Sequence, residues 1–502
     1  MKAPTAIAMT MLLGSGAASA QIEVDWTTIR ESPTLSDTAY LAGLDAAGNL
    51  IIGGVSESPG DPTQADYLVV KIDPSGEVVW STPYDGPAAR ADVPVAMVVA
   101  PGGAAYITGL ASIANFQASI ATVAFTPAGM IDWANLERGD VTVGGNIRGT
   151  DIAMAPNGDV VMVGWVFNQA TGLDFGAARY APNGAEVWFR SFGGPGSVID
   201  SAEAVAIDSD GNTVVVGQVS VGGQYDLGVI KYDPAGNVLW SDTRNISDEP
   251  VLNFEDNVDS VAIDAAGDIY IGVIARNTGN TFLTAHLVKY ESDGTHAWTR
   301  ANFNGMSFDQ IVIGLDGRII ASGLTINGLL TASYEPNGDL VWSSYNEEGA
   351  LLSDNRREHV AVLSSGDIIV ACHDYMGIGP EYDLEIRHFS PDGELLEEKV
   401  IDIDVSREFF GAITAGPNND FYIAGRHEAF AGAARNFMAM RLTVPTGLAA
   451  DLNGDGIVNS AALGAMLGAW GACPMGGPCP ADIDGDGSVG PADLAALLGS
   501  WG

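Results

Sequence analysis

A unit of about 50 residues recurs along most of this chain, and it constrains the fold more than any other feature. A clear copy runs from Ala206 to Trp240 and contains four short apolar runs, separated by turns rich in Gly, Asp, Asn and Pro. Those residues supply the backbone angles of tight turns, so each pair of runs predicts a β-hairpin. One unit therefore predicts a four-stranded antiparallel sheet.

The copies can be counted from the residue that closes the first turn of each unit. Eight copies follow one another between Ile22 and Leu442. The expected turn residues are Gly48, Gly102, Gly158, Gly211, Gly267, Gly317, Gly366 and Asn419. A period of this size, sustained over eight copies, indicates a propeller or a solenoid.

The second hairpin of the first six copies closes with a tryptophan. These residues are Trp80, Trp133, Trp188, Trp240, Trp298 and Trp342, and the seventh copy has Leu396 near this place. Because the ring recurs at one place of the unit, packing between neighbouring sheets explains every copy at once. Stacking of exposed rings on sugars is the alternative.

The two ends of the repeat region complement each other. The eighth copy stops at Leu442 without a fourth strand, and a single extra strand, Ile22 to Trp26, precedes the first copy. Pairing this strand with the last sheet would close a ring and remove two exposed edges. The sequence therefore predicts an all-β, eight-bladed β-propeller over residues 22–442, with seven blades as the alternative if one copy is irregular.

The units also carry a family resemblance. The text AVAIDSDGNTVVVG followed by YDLGVIKYDPAGNVLW resembles the bacterial β-propeller repeats of the SBBP type, and more distantly the Trp-containing repeats of quinoproteins. This resemblance implies a fold and no particular chemistry. Segments that vary between copies are expected to form a binding face, and they are 60–64, 168–172, 277–280 and 374–381.

The N-terminus and the charge balance suggest where the protein acts. Residues 1–20 join Lys2 to an apolar stretch and end in Ala-Ser-Ala, which is typical of a secretory signal. No later run is long and apolar enough for a membrane helix. With 22 basic and 63 acidic residues the net charge is −41, which argues against nucleic acid and anionic membranes as partners. We expect a monomer that is secreted or held at the cell surface.

A different repeat follows a short linker at 443–450. The segments DLNGDGIVNSAALGAMLGAWG and DIDGDGSVGPADLAALLGSWG align without gaps, so that Asp451 matches Asp482 and Gly471 matches Gly502. Each opens with Asp-x-Asn/Asp-x-Asp-Gly, a pattern whose alternate side chains can direct oxygen atoms at one calcium ion. Each continues with apolar residues at helical spacing. These are Leu463, Met466, Leu467 and Trp470, and then Leu494, Leu497, Leu498 and Trp501.

This arrangement resembles a type I dockerin domain over residues 451–502. In the second loop the resemblance implies calcium bound by the side chains of Asp482, Asp484, Asp486 and Asp493 and by the carbonyl of Ser488. In the first it implies Asp451, Asn453, Asp455 and Asn459, with the carbonyl of Ile457. Ala462 stands where the family has Asp, so we expect the first site to bind calcium more weakly. The implied partner is a cohesin-like or other surface protein.

The three cysteines have different surroundings. Cys473 and Cys479 flank a Gly/Pro loop between the two copies, and in an exported protein we expect them to form a disulfide. Free or metal-bound thiols are the alternative. Cys372 lies in an apolar run and is expected to be a buried thiol outside any disulfide.

No nucleophile elbow, HExxH motif, phosphate-binding loop or dinucleotide fingerprint is present in the sequence. Four of the six histidines, His359, His373, His388 and His427, fall in the last two copies, where scattered structural roles and a metal site are both open. We expect a non-catalytic binding or scaffold propeller, for a carbohydrate or protein ligand, with a calcium-dependent attachment module. The alternative is an extracellular polysaccharide-active enzyme, a glycoside hydrolase or lyase, which would need carboxylates converging from several blades.

Overall fold

The computed structural model describes residues 21–501 with internal gaps. The gaps are 31–35, 59–60, 89, 114–116, 138–146, 169, 195–198, 223, 247–256, 276–282, 303, 326–327, 346–358, 376–381, 404–406, 430–433, 446–451, 453–457, 474–478, 480, 484–487 and 500. The expected signal at 1–20 and residues 446–450 of the expected linker lie outside the described residues. Two compact units are present, one formed by Val24–Thr443 and one that contains Val444 onwards.

The first unit consists of eight antiparallel four-stranded sheets, which we call blades 1 to 8. Blade 1 contains β2 (Asp37–Leu44), β3 (Leu50–Ser58), β4 (Asp61–Ile72) and β5 (Val78–Tyr84). Blade 2 contains β6 (Val93–Val99), β7 (Ala105–Ile113), β8 (Gln117–Phe125) and β9 (Ile131–Glu137). Blade 3 contains β10 (Arg148–Met154), β11 (Val160–Asn168), β12 (Gly172–Tyr180) and β13 (Glu186–Phe192). Blade 4 contains β14 (Ser201–Ile207), β15 (Thr213–Val221), β16 (Gln224–Tyr232) and β17 (Val238–Arg244).

The second half of the ring has the same organisation. Blade 5 contains β18 (Asn257–Ile263), β19 (Ile269–Ala275), β20 (Thr284–Tyr290) and β21 (His296–Asn302). Blade 6 contains β22 (Gln310–Ile313), β23 (Ile319–Leu324), β24 (Leu329–Tyr334) and β25 (Leu340–Tyr345). Blade 7 contains β26 (Val360–Val362), β27 (Ile368–Tyr375), β28 (Tyr382–Phe389) and β29 (Leu395–Ile401). Blade 8 contains β30 (Arg407–Ala415), β31 (Asp420–Glu428), β32 (Arg435–Thr443) and β1 (Glu23–Arg30).

Blade 8 closes the ring in the way that the sequence predicts. Strand β1 from the N-terminal side pairs with β32, so the order in this sheet is β1-β32-β31-β30. The fold is therefore an eight-bladed β-propeller, and the seven-bladed alternative is wrong. The closing strand leaves no blade with a missing partner strand.

Burial follows the position of a strand within its blade. First strands of neighbouring blades pack against one another around the centre, as β10 does against β6 and β14. Second strands such as β15 are buried almost throughout, because both faces pack against adjacent blades. Fourth strands such as β17 are largely exposed. The continuous apolar runs in the sequence are these buried second and third strands.

We call the connection between the first and second strands of a blade its inner turn. Each inner turn is closed by a residue with positive φ, and in blade 8 this residue is Asn419 at φ 58°. In blade 2 the prediction of Gly102 is wrong, because the left-handed residue is Gly103 at φ 88°. Its amide donates a hydrogen bond to the carbonyl of Ala100 at 2.8 Å, and this bond sets the register of the two adjacent glycines.

The connection between the third and fourth strands, the outer turn, receives the tryptophan of the preceding blade. The indole nitrogen of Trp80 in blade 1 donates to the carbonyl of Pro127 in blade 2 at 3.1 Å. The same bond joins Trp26, Trp133, Trp188, Trp240, Trp298 and Trp342 to the outer turn of the next blade, at 3.0–3.3 Å. Each of these rings is at least partly buried, so the packing interpretation of the tryptophans is confirmed.

Blade 7 has no tryptophan at this place of its fourth strand, and the way in which the ring closes explains why. Its residue in the tryptophan register is Glu397, opposite His388, next to the Leu396 noted in the sequence. A tryptophan here would need an outer turn in blade 8 to cap. Blade 8 has none, because its third strand β32 ends the propeller and its fourth strand β1 comes from the other end of the chain.

A base on the third strand, buried in every case except Arg441 of blade 8, is paired with a carboxylate on the inner turn of the same blade. Lys71 contacts Asp45 at 2.9 Å and Lys289 contacts Asp268 at 2.8 Å. The other pairs are Arg179–Asp159, Lys231–Asp208, His388–Asp367 and Arg441–Asp420, at 2.9–3.1 Å. The carboxylate comes from the first residue of the turn in blades 1 and 4, and from the fifth in blades 3, 5, 7 and 8.

Blades 2 and 6 lack both members of this pair. The base position holds Ala124 in blade 2 and Ser333 in blade 6, as the pairing with Trp133 and Trp342 shows. Their inner turns have no acid at the first or fifth place. A blade thus has both the third-strand base and the inner-turn acid or neither of them. A buried charge without a partner would lower the stability of the fold.

The C-terminal unit contains two helices and one small sheet. Helix α1 spans Ser460–Gly468 and α2 spans Pro491–Gly499, so a helix follows each predicted loop. Strands β33 (Gly471–Ala472) and β34 (Ser488–Val489) pair with each other. The core includes Val458, Met466 and Leu497, all fully buried.

Candidate functional site

Four of the ten predicted calcium ligands lie in the part of the chain that the structure describes. They are Asn459 in the first copy and Asp482, Ser488 and Asp493 in the second. The others, Asp451, Asn453, Asp455, Ile457, Asp484 and Asp486, lie outside the described residues. Among the predicted ligands, the structure therefore describes the helix start of both loops and the entrance of the second loop only.

Asp493 links the second loop to its helix. One carboxylate oxygen accepts the amide of Gly490, which precedes α2, and the other accepts the amide of Ile483, near the loop entrance, both at 2.6 Å. The first bond is the reciprocal half of a capping box. Asp493 is 1% exposed, so its carboxylate is buried between the loop entrance and the helix. This carboxylate fits the last ligand place of a calcium loop, because it joins loop entrance and helix start.

The first copy begins its helix differently. Asn459 is the N-cap of α1, and its side-chain oxygen accepts the amide of Ala461 at 2.6 Å. Ala462, at the place of Asp493, is fully buried and packs into the core of the unit. The side-chain amide of Asn459 offers an oxygen but no charge, and Ala462 offers neither. The weaker first site stays a prediction, which rests on the smaller number of charged ligands in the first loop.

The predicted disulfide is present between Cys473 and Cys479. The Asp482 carboxylate lies 3.5 Å from the sulfur of Cys473. A disulfide sulfur has no proton to donate and no thiolate charge, so the alternative of free or metal-bound thiols is wrong. Cys372 is buried and not disulfide-bonded, and its sulfur lies 3.7 Å from a carboxylate oxygen of Glu385.

The apolar stripe of each helix divides into a buried and an exposed part. Met466 and Leu497, which hold equivalent places in the two copies, are fully buried. In contrast, Leu467 and Trp470 are 56% and 46% exposed, and Leu498 and Trp501 are 53% and 47% exposed. The second pair repeats the first at the same places of the aligned copies. An exposed Leu–Trp pair is thus a duplicated property of the unit, which a single chance exposure would not be.

Groups of carboxylates also occur in the propeller. In blade 1 and at the start of blade 2, Asp66, Asp85 and Asp92 place ligand atoms within 4.8 Å of one another. Burial raises the pKa of Asp92 to about 6, and the charges of Asp66 and Asp85 add to this effect. Asp92 itself is fully buried.

The hydrogen bonds of Asp92 indicate a structural role. Its carboxylate accepts the amides of Gly86 and Ser112, and its own amide donates to the carbonyl of Ala65 at 2.6 Å. Asp200, at the start of blade 4, repeats all three bonds with Gly194, Ser220 and Leu173. Because the same bonds recur at two places, we assign the buried acid a structural role, in which it connects the backbones of two consecutive blades. A substrate would not reach it.

The remaining group involves the last two blades. Asp383, Asp402 and Glu408 also place ligand atoms within 4.8 Å of one another. Among the described residues no such group contains a histidine. His388 pairs with Asp367 at 3.1 Å, and His427 lies 3.9 Å from Glu408. The side chain of His373 lies outside what the structure describes. These contacts favour scattered roles for the histidines.

Within the described residues, neither helix has the length and apolar character to cross a membrane. No model of a known protein family matches the sequence, and no curated protein matches it.

Solved structures match at low identity. Sqt1 from Chaetomium thermophilum, bound to the N-terminus of the ribosomal protein L10, is 11% identical, with 82% of this chain and 99% of that chain covered and a TM-score of 0.49. The dihydro-heme d1 dehydrogenase NirN is 10% identical, with 82% and 75% covered and a TM-score of 0.43. A protein of unknown function from Bacteroides caccae is 12% identical, with 54% and 84% covered and a TM-score of 0.32. Similarity at these identities and TM-scores carries no information about the ligand or the activity of this protein.

Proposed function

We propose that this protein is an exported, non-catalytic binding or scaffold propeller that attaches to a partner through a calcium-dependent C-terminal module. The propeller supplies a rigid platform, because each blade is packed against two others. The module, which resembles a dockerin, supplies attachment to a cohesin-like or other protein at the cell surface. Secretion rests on the signal-like residues 1–20.

The observation that carries the proposal is the pair of exposed Leu–Trp sites on the C-terminal unit. Leu467 with Trp470, and Leu498 with Trp501, leave about half of each side chain in contact with water. Large apolar side chains grouped in this way mark a protein-binding surface, and tryptophan is enriched where binding energy is concentrated. A unit that needed these side chains only for its own core would bury them, as it buries Met466 and Leu497.

Calcium would hold the loops from which these helices start. In the second loop the ligands would be Asp482, Asp484, Asp486, Asp493 and the carbonyl of Ser488. In the first they would be Asp451, Asn453, Asp455, Asn459 and the carbonyl of Ile457. A divalent cation lets several carboxylates converge that would otherwise repel one another, so its binding stabilises the folded unit.

Isothermal titration calorimetry on the full mature chain tests this proposal. We expect the wild type to bind calcium with a tighter and a weaker step, and Asp482→Ala to lose the tighter one. Asp73→Ala removes an equal charge from an exposed outer turn in blade 1 and should bind calcium like the wild type. A wild-type chain that binds no calcium, or a variant that keeps both steps, would refute the attachment module as proposed.

Partner binding is tested by a second pair of variants. Leu498→Ser with Trp501→Ser should abolish capture by a surface receptor and leave calcium binding intact, because neither side chain is a proposed ligand. Val78→Ser with Val79→Ser removes two exposed apolar side chains from blade 1, at 41% and 55% exposure, and serves as the control. An equal loss of receptor capture in the two double variants would show that the apolar surface of the C-terminal unit is not the attachment site.

A further inference from the structure

A groove lies between blades 4 and 5, on the side of the inner and outer turns. Its cavity of about 380 Å³ is lined by Asp208, Asp210, Lys231 and Trp240 of blade 4 and by Ser292 and Asp293 of blade 5, among others. A volume of this size lies within the range of small-ligand sites. It can hold an amino-acid side chain together with its backbone.

The wall of the groove on blade 4 includes a lysine, Lys231, at the place where blade 3 has an arginine, Arg179. In blade 3, Arg179 extends across to blade 4, where its guanidinium donates to the carbonyl of Gly211 at 2.9 Å. In blade 4, the Lys231 ammonium binds Asp208 at 2.9 Å and reaches only the Ser292 carbonyl, at 3.3 Å. Asp208 and Lys231 therefore line the groove as a paired acid and base.

The charge in the groove is negative on balance. Lys231 neutralises Asp208, which leaves Asp210 on one wall and Asp293 on the other, both exposed. The amide and hydroxyl of Thr295 bind Asp293 and lower the pKa of its carboxyl, so it is ionised at neutral pH. Two carboxylates facing a space next to one paired ammonium attract a cation.

The apolar part of the groove selects among cations. Leu239 is 52% exposed, and the ring of Trp240 lines the cavity beside it. A hydrated metal ion gains nothing from these side chains. An arginine side chain matches both parts, because its methylene stem packs on apolar surface while its planar guanidinium binds carboxylates.

We propose that the groove between blades 4 and 5 binds an arginine side chain of a partner polypeptide, with Asp210 and Asp293 receiving the guanidinium and Leu239 and Trp240 receiving its stem. The charge of the whole chain, −41, favours basic partner segments over acidic ones. The inference rests on the proposed binding role of the propeller and does not depend on the C-terminal module.

Calorimetric titration of the full chain with the capped peptide acetyl-Gly-Arg-Gly-amide tests the proposal. One side chain in an exposed groove should bind at roughly millimolar strength in low salt. The peptide with Gln in place of Arg should not bind measurably. Asp210→Asn with Asp293→Asn should weaken binding at least fivefold. The matched control Asp73→Asn with Asp233→Asn removes two charges from outer turns outside the groove and should leave affinity within twofold of the wild type.

Three results would overturn the proposal: no binding of the arginine peptide, equal binding of the glutamine peptide, or equal weakening by the two double variants. Far-UV circular dichroism and thermal midpoints establish that every variant is folded. The Asp482→Ala chain should bind the peptide like the wild type. A loss of calcium binding with intact peptide binding, or the reverse, therefore distinguishes failure of the attachment module from failure of the groove.

Discussion

The indole nitrogen of Trp188 in blade 3 donates a hydrogen bond to the carbonyl oxygen of Pro234 in blade 4, at 3.2 Å. The ring also covers the glycine of the same outer turn, since a β-carbon added to Gly236 would lie 2.7 Å from Cγ of Trp188. Trp188 is 3% exposed. One side chain thus joins two blades by a polar bond and by contact with a residue that cannot carry a side chain.

Gly236→Ala should destabilise the propeller more than Gly211→Ala does. Both glycines have φ near 80°, so alanine should cost about 1–2 kcal/mol of backbone strain at either place. At Gly211 the nearest atom to an added β-carbon is 3.6 Å away, an ordinary contact. At Gly236 the clash with Trp188 should add about 1–3 kcal/mol. Urea denaturation of the two variants measures the difference, and equal losses would contradict the capping role of the tryptophan.

Removing Asp268 alone should lower the stability of the propeller more than removing Asp268 and Lys289 together. Asp268→Ala leaves the Lys289 ammonium, 9% exposed, without its carboxylate, and we expect a loss of about 3–5 kcal/mol. The double variant, Asp268→Ala with Lys289→Ala, reproduces the residues of blade 2, Ala104 and Ala124. It should be the more stable of the two. A double-mutant cycle on free energies of unfolding measures this coupling, and additive losses would show that the two charges act independently.

Asp92 should make the propeller less stable as the pH rises from 4 to 6. Burial raises its pKa in the folded chain from 3.8 to about 6, so the folded state binds the proton more tightly than the unfolded state. This contribution is complete below pH 3.8 and is lost as the pH passes through 6. Asp92→Asn cannot titrate. The free energy of unfolding of the wild type, minus that of the variant, should therefore fall between pH 4 and 6.

Asp73 provides a control of opposite sign for the pH experiment. The hydroxyl of Ser75 and the amide of Glu77 bind its carboxylate and lower its pKa from the ordinary value. Its contribution is present at neutral pH and is lost as the pH falls. The free energy of unfolding of the wild type, minus that of Asp73→Asn, should therefore rise with pH. Parallel slopes for the two variants would contradict the assignment of opposite pKa shifts.

Removal of the disulfide should loosen the C-terminal unit alone. The bond between Cys473 and Cys479 closes a loop with a sequence separation of 6, worth about 2 kcal/mol in restricted unfolded-state entropy. Cys473→Ser with Cys479→Ser should speed hydrogen exchange of the amides in α1 and α2. Exchange in the second strands of the propeller should not change. Faster exchange in both regions would show that the effect is not confined to this unit.

Most of the fold was predictable because the repeat carries it. Turn residues, tryptophans, the single strand before the first copy and the missing fourth strand of the last copy predict eight blades and their closure. The misplaced turn residue in blade 2 shows the limit, since two adjacent glycines satisfy the same pattern and only the bond from Gly103 to Ala100 distinguishes them. The missing tryptophan in blade 7 was visible in the sequence. Its cause became clear only when β1 was placed as the fourth strand of blade 8.

The sites were less predictable, because they depend on what neighbouring blades or helices leave uncovered. The duplication in the C-terminal unit predicted both apolar stripes, yet not that Leu467 and Leu498 are exposed while Met466 and Leu497 are buried. The groove beside Lys231 is lined by Asp210 and Trp240 of blade 4 and by Asp293 of blade 5. The sequence does not show that these residues of two blades share one cavity.

The place of β32 in its sheet has a mechanical consequence. This strand ends at Thr443, where the propeller joins the C-terminal unit, and it is hydrogen-bonded to β31 on one edge and to β1 on the other. A pull transmitted from an attached C-terminal unit must therefore break two ladders of backbone bonds, one of them made with the opposite end of the propeller's chain. The strand that bears the load is clamped on both sides, so tension strains the ring closure instead of peeling away a free edge.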